Sequence, residues 1–475
     1  LPLGAAKWGT FVPSVTKPEI GRAGTGVIDP AADAAQLRKA VVTLAWPAII
    51  EFSLVTLIGV VNMIMVGRVG AGAVAAIGIC NQPLFLAQAI FQALTVGSTA
   101  IVARHIGAGE TAQATDAARQ SVVLTAVLSV FATAPFLLWG QQIVTWMGAK
   151  PEVIPLATAY IRIVGGGMFF TVMGIVVSAI LRGAGDTVTP MRVNSIANIV
   201  NVVAGLGLIF GYFGLPALGV AGAAWGAFIA RGVGTVLFLW VLYGGRCSLP
   251  LSLRQSHRLT SVMVARLVKV GLPAALEQFV MRGGQVLFSR LIASLGTFAT
   301  AAHQIAVSAE SLAYTPAQAL GVAATTLVGQ NLGAGQPEIA ERTGRETLRI
   351  GLMIMIGMGL VVFIFTDPIL RLYTNEPEVL RMARGCMRLF AIALPGMALY
   401  FVLVGALRGA GDTKWPLYVS IAGIWCVRLV IGNLLAIRLG LGLPGAWIAM
   451  VLDHWSRGIV CYLRFQSGGW KRAKV

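Results

Sequence analysis

Twelve stretches of this chain are apolar for long enough to cross a lipid bilayer, and that pattern restricts the fold more than any other feature. A helix needs about 20 mainly apolar residues to traverse the hydrocarbon core. The stretches lie near 40–66, 74–103, 118–146, 154–181, 190–213, 217–243, 262–289, 298–329, 350–366, 386–407, 416–437 and 442–463. Inside hydrocarbon every backbone N–H and C=O must be bonded internally, so only helices and closed barrels span it. Barrel strands alternate in polarity over about 10 residues, whereas these runs are continuous. An all-α integral membrane protein with twelve transmembrane helices is expected. Only 11% of the residues are charged, less than half the ~25% usual in soluble domains. Fifty-seven glycines suit close helix packing in lipid.

The formal net charge of +18 does not mark a nucleic-acid binder, because the basic residues are spread over short loops and both tails. They follow the positive-inside rule. Loops near 104–119, 182–192, 246–269, 342–349 and 408–414, with the tail 464–474, together hold 18 Lys and Arg, about twice the number on the opposite side. Both termini are therefore expected to be cytoplasmic, in a multi-pass plasma (inner) membrane protein. The five cysteines are scattered and show no disulfide framework. Residues 1–36 lack the apolar core of a signal peptide and read as a mobile cytoplasmic tail.

The heptad LRGAGDT occurs at 181–187 and again at 407–413. Shifting the chain by this 226-residue offset aligns more than the heptad. WPAIIE at 46–51 meets LPAALE at 272–277, IGAG at 106–109 meets LGAG at 332–335, and Pro190 meets Pro416. Near the end of each half the register slips by three, where GAAW at 222–225 resembles GAW at 445–447. The whole chain is thus a duplicated six-helix unit. Six is even, so both halves enter from the same side and are related by a pseudo-two-fold along the membrane normal. The expected organisation is an N-lobe over 37–243, a cytoplasmic linker over 244–261, a C-lobe over 262–466 and a basic tail over 467–475. A central cleft between two rigid lobes suits a carrier. Each heptad sits where a span leaves the membrane. It reads as a cytoplasmic hinge turn in which Arg182 and Asp186, or Arg408 and Asp412, pair or hold neighbouring backbone ends.

These motifs, with VGQNLGAG at 328–335, MIMVGRVG at 63–70, IFGYFGLPALGVAGAA at 209–224 and RFQSGGW at 464–470, carry a resemblance to a known family. Over about residues 38–470 the chain resembles the multidrug and toxic compound extrusion transporters, within the wider multidrug/oligosaccharidyl-lipid/polysaccharide exporter superfamily. The resemblance implies twelve helices in two lobes and a V-shaped cleft. It also implies export of amphipathic, often cationic, drug-like molecules in exchange for H⁺ or Na⁺, with no other cofactor. The acids that the family often carries are replaced here. Asn62 and Gly205 stand at the N-lobe positions, and Met281 and Met397 at those of the C-lobe.

Coupling to an ion then needs other groups. Ionisable side chains inside a membrane are costly, which makes them functional candidates. Glu51, Glu277 and Glu310 are the acids best placed within spans. Glu51 and Glu277 are repeat-equivalent, and each follows a helix proline by four residues. Desolvation disfavours a carboxylate's charge, the property a proton carrier needs. Each could equally cap backbone groups freed by its proline, or pair with a basic neighbour such as Arg282. Asn194, Asn198 and Asn201 share one helix face and, with Asn62, outline a polar N-lobe chamber or an interhelical bond network. Met173, Met281, Met397 and Tyr400 are candidates for an adaptable substrate wall. Asp453 and Arg457, four apart, read as a self-neutralising pair, and Arg231 and Arg428 lack an obvious acid partner.

There is no metal-ligand spacing among the histidines, no phosphate-binding glycine loop and no HExxH sequence, so no catalytic site is assigned. The function expected is secondary active multidrug efflux by a monomer in the bilayer. The alternative is a flippase for lipid-linked oligosaccharides, which would favour a cationic cleft, and Arg231, Arg282 and Arg428 keep it open. A receptor or channel would not require two matching halves.

Overall fold

Long apolar runs satisfy their backbone groups within each segment, and the chain does so by forming helices throughout. The computed structural model describes residues 27–245, 247, 249, 251 and 259–473. The first half comprises α1 (Ala34–Gly67), α2 (Ala71–Gly107), α3 (Thr111–Leu138), the short α4 (Gly140–Trp146), α5 (Ile154–Gly166), α6 (Met168–Gly183), α7 (Val188–Phe210) and α8 (Val220–Tyr243). The second comprises α9 (Ser261–Ala293), α10 (Thr297–Ala313), α11 (Thr315–Gly333), α12 (Pro337–Ile364), the short α13 (Thr366–Arg371), α14 (Pro377–Ala410), α15 (Lys414–Ile421) and α16 (Gly442–Gln466). Wide π-type turns over Ala422–Ile431 and Leu434–Arg438 carry α15 onward. No strand occurs among the described residues.

The twelve expected spans map onto these helices, with α5–α6 and α10–α11 each forming one span in two pieces. Among the described residues eight helices are long and apolar enough to cross a membrane, and the α5–α6 pair, bent by 44°, makes a ninth if it is one span. The remaining three, α9, α10–α11 and α16, fall short by composition or length. Between them they carry Glu277, Arg282, His303, Glu310, Asp453 and Arg457. The polarity that weakens their hydropathy is the polarity that builds the site described below.

The repeated heptad has a packing reason. Gly183 ends α6 where a Cβ would lie 2.8 Å from the Thr99 carbonyl, and at its counterpart Gly409 a Cβ would lie 2.2 Å from the Thr325 carbonyl. Two residues on, Gly185 and Gly411 take φ of +91° and +88°, a left-handed turn that only glycine enters freely. Thr99 and Thr325 donate their hydroxyls to the Ala179 and Gly405 carbonyls at 3.1 and 2.9 Å. Each lobe repeats these contacts at the 226 offset.

The lobes are not cleanly separate. The first half of α1 (Leu37, Val41, Leu44) is buried with α11 and α14 of the C-lobe, while near its end Val66 packs in an N-lobe cluster and Met65 lies against Gly205 of α7. Likewise Met263 and Leu267 of α9 are buried in the N-lobe core, and Phe288 and Ile292 in the C-lobe core. Each helix changes lobe near its internal proline, Pro47 or Pro273. The segment before α1, expected as a tail, is anchored from residue 28 onward. Ile28 and Ala32 are buried against the C-lobe, and the Ile28 amide donates to Asn331 at 3.1 Å. Residues 1–26 and most of the 244–261 linker lie outside the described residues.

At the heptad face the lobes meet backbone to backbone. A Cβ on Gly107 would lie 1.9 Å from the Gln330 carbonyl, and one on Gly333 would lie 2.0 Å from the Arg104 carbonyl. Residues 104 and 107 are the repeat equivalents of 330 and 333, so this contact is its own two-fold image. The same face holds Gly271 against the Ala93 carbonyl and Gly97 against that of Leu267. Thr326 and Gln330 add hydrogen bonds to the Arg182 and Gly183 carbonyls at 2.8 and 2.9 Å. Replacing Gly333 with Leu is expected to hold the lobes apart here. A cysteine placed at Ala103, fully buried in this contact, should then change from inert to maleimide-reactive. Unchanged labelling in a folded G333L variant would show that the contact does not depend on backbone proximity.

Candidate functional site

Two prolines set the geometry of the site. Each frees the carbonyl four residues earlier from its helix bond and is followed by a glutamate. Glu51 on α1 is 3% exposed. It accepts from Arg182 of the first heptad at 3.2 and 3.3 Å and from Asn194 of α7 at 2.7 Å. Glu277 on α9 is 2% exposed. It accepts from Arg408 of the second heptad at 2.7 Å, from Tyr400 at 2.7 Å and from Ser420 at 3.1 Å. The triads Glu51–Arg182–Asn194 and Glu277–Arg408–Ser420 match residue for residue at the 226 offset.

This corrects the reading of the heptads as self-contained hinges. Arg182 and Arg408 reach back into the membrane to a glutamate rather than to the aspartate four residues on. Asp186 instead accepts from the Thr189 amide and hydroxyl at 2.9 and 2.6 Å. Asp412 accepts from Arg464 at 2.8 and 3.0 Å. Nor is Arg282 the partner of Glu277. It bonds Gln285 at 3.4 Å and lies over the Phe85 ring at 5.4 Å.

A cavity of about 760 Å³ opens between the lobes, mostly within the C-lobe. Met281, Met397 and Tyr400, the wall candidates read from the sequence, line it together with Phe401, Glu277 and Glu310. Met173 does not. It is 2% exposed and packed in the N-lobe core, because α6 turns that face toward α2, α3 and α8 rather than toward the cleft. Along the far wall runs a charged cluster. Arg428 donates to Asp453 through Nε at 2.8 Å, and Arg457 donates to the same carboxylate oxygen at 2.8 Å. Arg428 thus has the acid partner that its sequence neighbourhood did not show. His454 sits between the guanidiniums, 3.2 and 3.3 Å from them, and 3.9 Å from Glu310. Arg457 also lies over the Tyr400 ring at 4.6 Å. Room for this cluster comes from Gly423, where a Cβ would lie 2.4 Å from Asp453 Oδ1. The surrounding π-type turns are of a kind frequent at functional sites.

The asparagine stripe divides. Asn194 belongs to Glu51, while Asn198, Asn201 and Asn62 line a second cavity of about 200 Å³ in the N-lobe, together with Arg231. Among the described residues no three His, Cys, Asp or Glu side chains converge as metal ligands. The cluster around Asp453 was only half visible in the sequence. The 453/457 spacing shows on one helix, but Arg428 and Glu310 come from two others.

The MatE family model matches residues 47–206 and 273–434, one block in each lobe. The chain is 31% identical to the probable multidrug resistance protein NorM of Thermotoga maritima, over 94% of this chain and 96% of that protein. It is 29% identical to the uncharacterized transporter YisQ of Bacillus subtilis, over 90% and 94%. A solved outward-facing multidrug resistance MATE family transporter of the MOP superfamily shares the fold. It has a TM-score of 0.85 and 24% identity, covering 92% of this chain and 98% of that one. With two matching blocks, twelve helices in two like lobes and a cavity between them, the chain belongs to the MATE family of membrane transporters.

Proposed function

We propose that this protein exports amphipathic, drug-like molecules across the inner membrane by secondary active antiport with H⁺ or Na⁺. The observation that carries the reading is the cavity of about 760 Å³ at the junction of the lobes. It combines adaptable apolar walls with carboxylates that face the transport path. The lobes touch at the heptad face mainly through backbone, with few side-chain bonds beyond those of Thr326 and Gln330, so they can part without breaking a large side-chain network. With both termini cytoplasmic, that face is the cytoplasmic one. Rocking about it alternates access to the cavity.

Among the three candidate acids Glu310 is the one free to change charge. Among the described residues its side chain makes no hydrogen bond, and the ionisable group within 4.0 Å of it is the His454 ring, at 3.9 Å. Glu51 and Glu277 already hold arginines and act as ties between the crossing helices and the heptads. The flippase alternative draws on Arg231, Arg282 and Arg428, which do line the cavities. Asp453 ties up Arg428 together with Arg457, however, and the C-lobe wall holds two further acids, which disfavours a pyrophosphate.

Proteoliposomes with a pH or a Na⁺ gradient imposed separately test the coupling. One gradient should drive ethidium transport in the wild type, and Glu310→Gln should abolish that drive. The Glu51→Gln/Glu277→Gln double variant should also lose gradient-driven transport. Undiminished transport in all of these variants would remove the carboxylates from the mechanism.

The ties also make a stability prediction. Arg408→Met leaves Glu277 buried without its counter-charge and should cost about 3–5 kcal/mol. Glu277→Met/Arg408→Met should cost much less, read by thermal unfolding in detergent. Equal losses would show that the pair itself stabilises.

A further inference from the structure

The N-lobe cavity has a polarity that the export of cations does not explain. No Asp or Glu is among its lining residues, and it contains one guanidinium, that of Arg231. Arg231 stands mid-way along α8, roughly opposite the exposed stripe of Trp225, Ile229, Val236 and Trp240, given ~100° of turn per residue. Its side chain therefore points into the lobe rather than into lipid, and it is exposed there. Among the described residues it makes neither a hydrogen bond nor an ion pair. An arginine within a membrane span normally has a carboxylate or backbone carbonyls as partners, as Arg182, Arg408, Arg428 and Arg457 do here.

The neighbouring amides are also unsatisfied. Asn198 Nδ2 and Asn201 Oδ1 are buried without a partner. An unmet buried donor or acceptor costs about 1–3 kcal/mol; the Asn198 donor and the unpaired guanidinium on one wall form a preformed donor site, while the Asn201 oxygen can take only a donor. A side-chain amide offers a donor from one end and an acceptor from the other. With Asn62 and Tyr160 on the same wall, the chamber can surround an oxygen-rich group. Ile58, Val164 and Phe228 supply an apolar side. A volume of about 200 Å³ holds a compact head with a ring beside it.

We infer that the N-lobe chamber binds the anionic oxygens of a ligand, a carboxylate or a phosphate, through Arg231, with the Asn198 amide as a second donor. This deepens the export reading, on which it rests, by naming a substrate class: molecules with a carboxylate or phosphate head and an apolar body. Planar guanidinium matches either group by two parallel hydrogen bonds. The two lobes are then complementary, the C-lobe presenting carboxylates to the path and the N-lobe an uncompensated positive charge.

Isothermal titration of the detergent-purified full chain with benzoate, its neutral analogue benzamide and inorganic phosphate tests this. Benzoate or phosphate should bind the wild type, and benzamide should bind at least about tenfold more weakly. Arg231→Gln should lower affinity for the anion about tenfold or more and bring benzoate level with benzamide. Arg231→Lys should retain part of the preference, and Asn198→Ala should weaken the anion alone. Binding of benzoate without phosphate assigns the site to planar carboxylates, and the reverse to tetrahedral oxyanions. No anion binding in the wild type, a preference that survives Arg231→Gln, or equal binding of benzoate and benzamide overturns the inference. Should Arg231→Gln fail to fold, the Lys and Asn198 variants decide the matter. Ethidium, which carries no oxyanion, reads the export proposal separately. Ethidium transport with no anion preference sinks only the chamber, and anion binding without any gradient-driven transport sinks only the export reading.

Discussion

A carboxylate buried in a bilayer needs a counter-charge, and in this protein that need links the two ends of each lobe. Glu51 and Glu277 sit just beyond prolines in the helices that cross between lobes. The arginines that neutralise them come from the heptads at the far ends of α6 and α14. Removing one member of such a buried pair costs about 3–5 kcal/mol, so each pair pins a crossing helix to its own lobe at one depth. Below the pair the same helix packs on the other lobe. The glutamates therefore mark the boundary between what belongs to a lobe and what must slide or bend when lobes move.

Duplication supplied both lobes with this tie, and divergence then made the lobes unlike. Asn194 in one triad is Ser420 in the other, and the C-lobe adds Tyr400, whose hydroxyl also bonds Glu277. Further from the ties the difference widens. The C-lobe gathers Asp453, Arg428, Arg457, His454 and Glu310 along one wall. The corresponding stretch of α7 remains a regular α-helix, whereas α15 opens into π-type turns around Gly423 and Arg428. Widened turns shift side chains out of helical register, which lets Arg428 reach Asp453 from a helix otherwise facing lipid.

The repeat and the apolar runs made the architecture legible in the sequence. Span number, parallel halves and the membrane setting all follow from hydropathy and the 226-residue offset. Pairings across long separations were not legible. Arg182 and Asp186 are four residues apart in a turn, which invites a local pair, yet the true partner of Arg182 lies 131 residues away. One signal was available. Glu51 and Arg182 each recur at the offset, and two opposite charges kept in matching places inside membrane spans are natural partners. Met173 shows the opposite limit, since an apolar helix in lipid has no polar face to say which side meets the cleft. The lobe exchange of α1 and α9 was also hidden, because hydropathy records that a helix is buried and not against what.

Most charges near the cavities are cancelled within pairs, so the field along the path is set by the few that are not. Glu277 is answered by Arg408, Glu51 by Arg182, and Asp453 by two guanidiniums that share it. What remains is the surplus positive charge of the Asp453 cluster with Glu310 beside it in the C-lobe, Arg282 near the cleft and Arg231 in the N-lobe. At the low effective dielectric of a protein interior, an unpaired charge acts over several ångströms with a strength of kilocalories. Neutralising Glu310 by a proton or a bound cation would leave the cavity more positive, and releasing that ion would restore the balance. On the export reading proposed above, a single carboxylate changing charge among fixed pairs would be enough to alter the affinity of the whole path for charged cargo, and the paired residues would keep the rest of the field constant meanwhile.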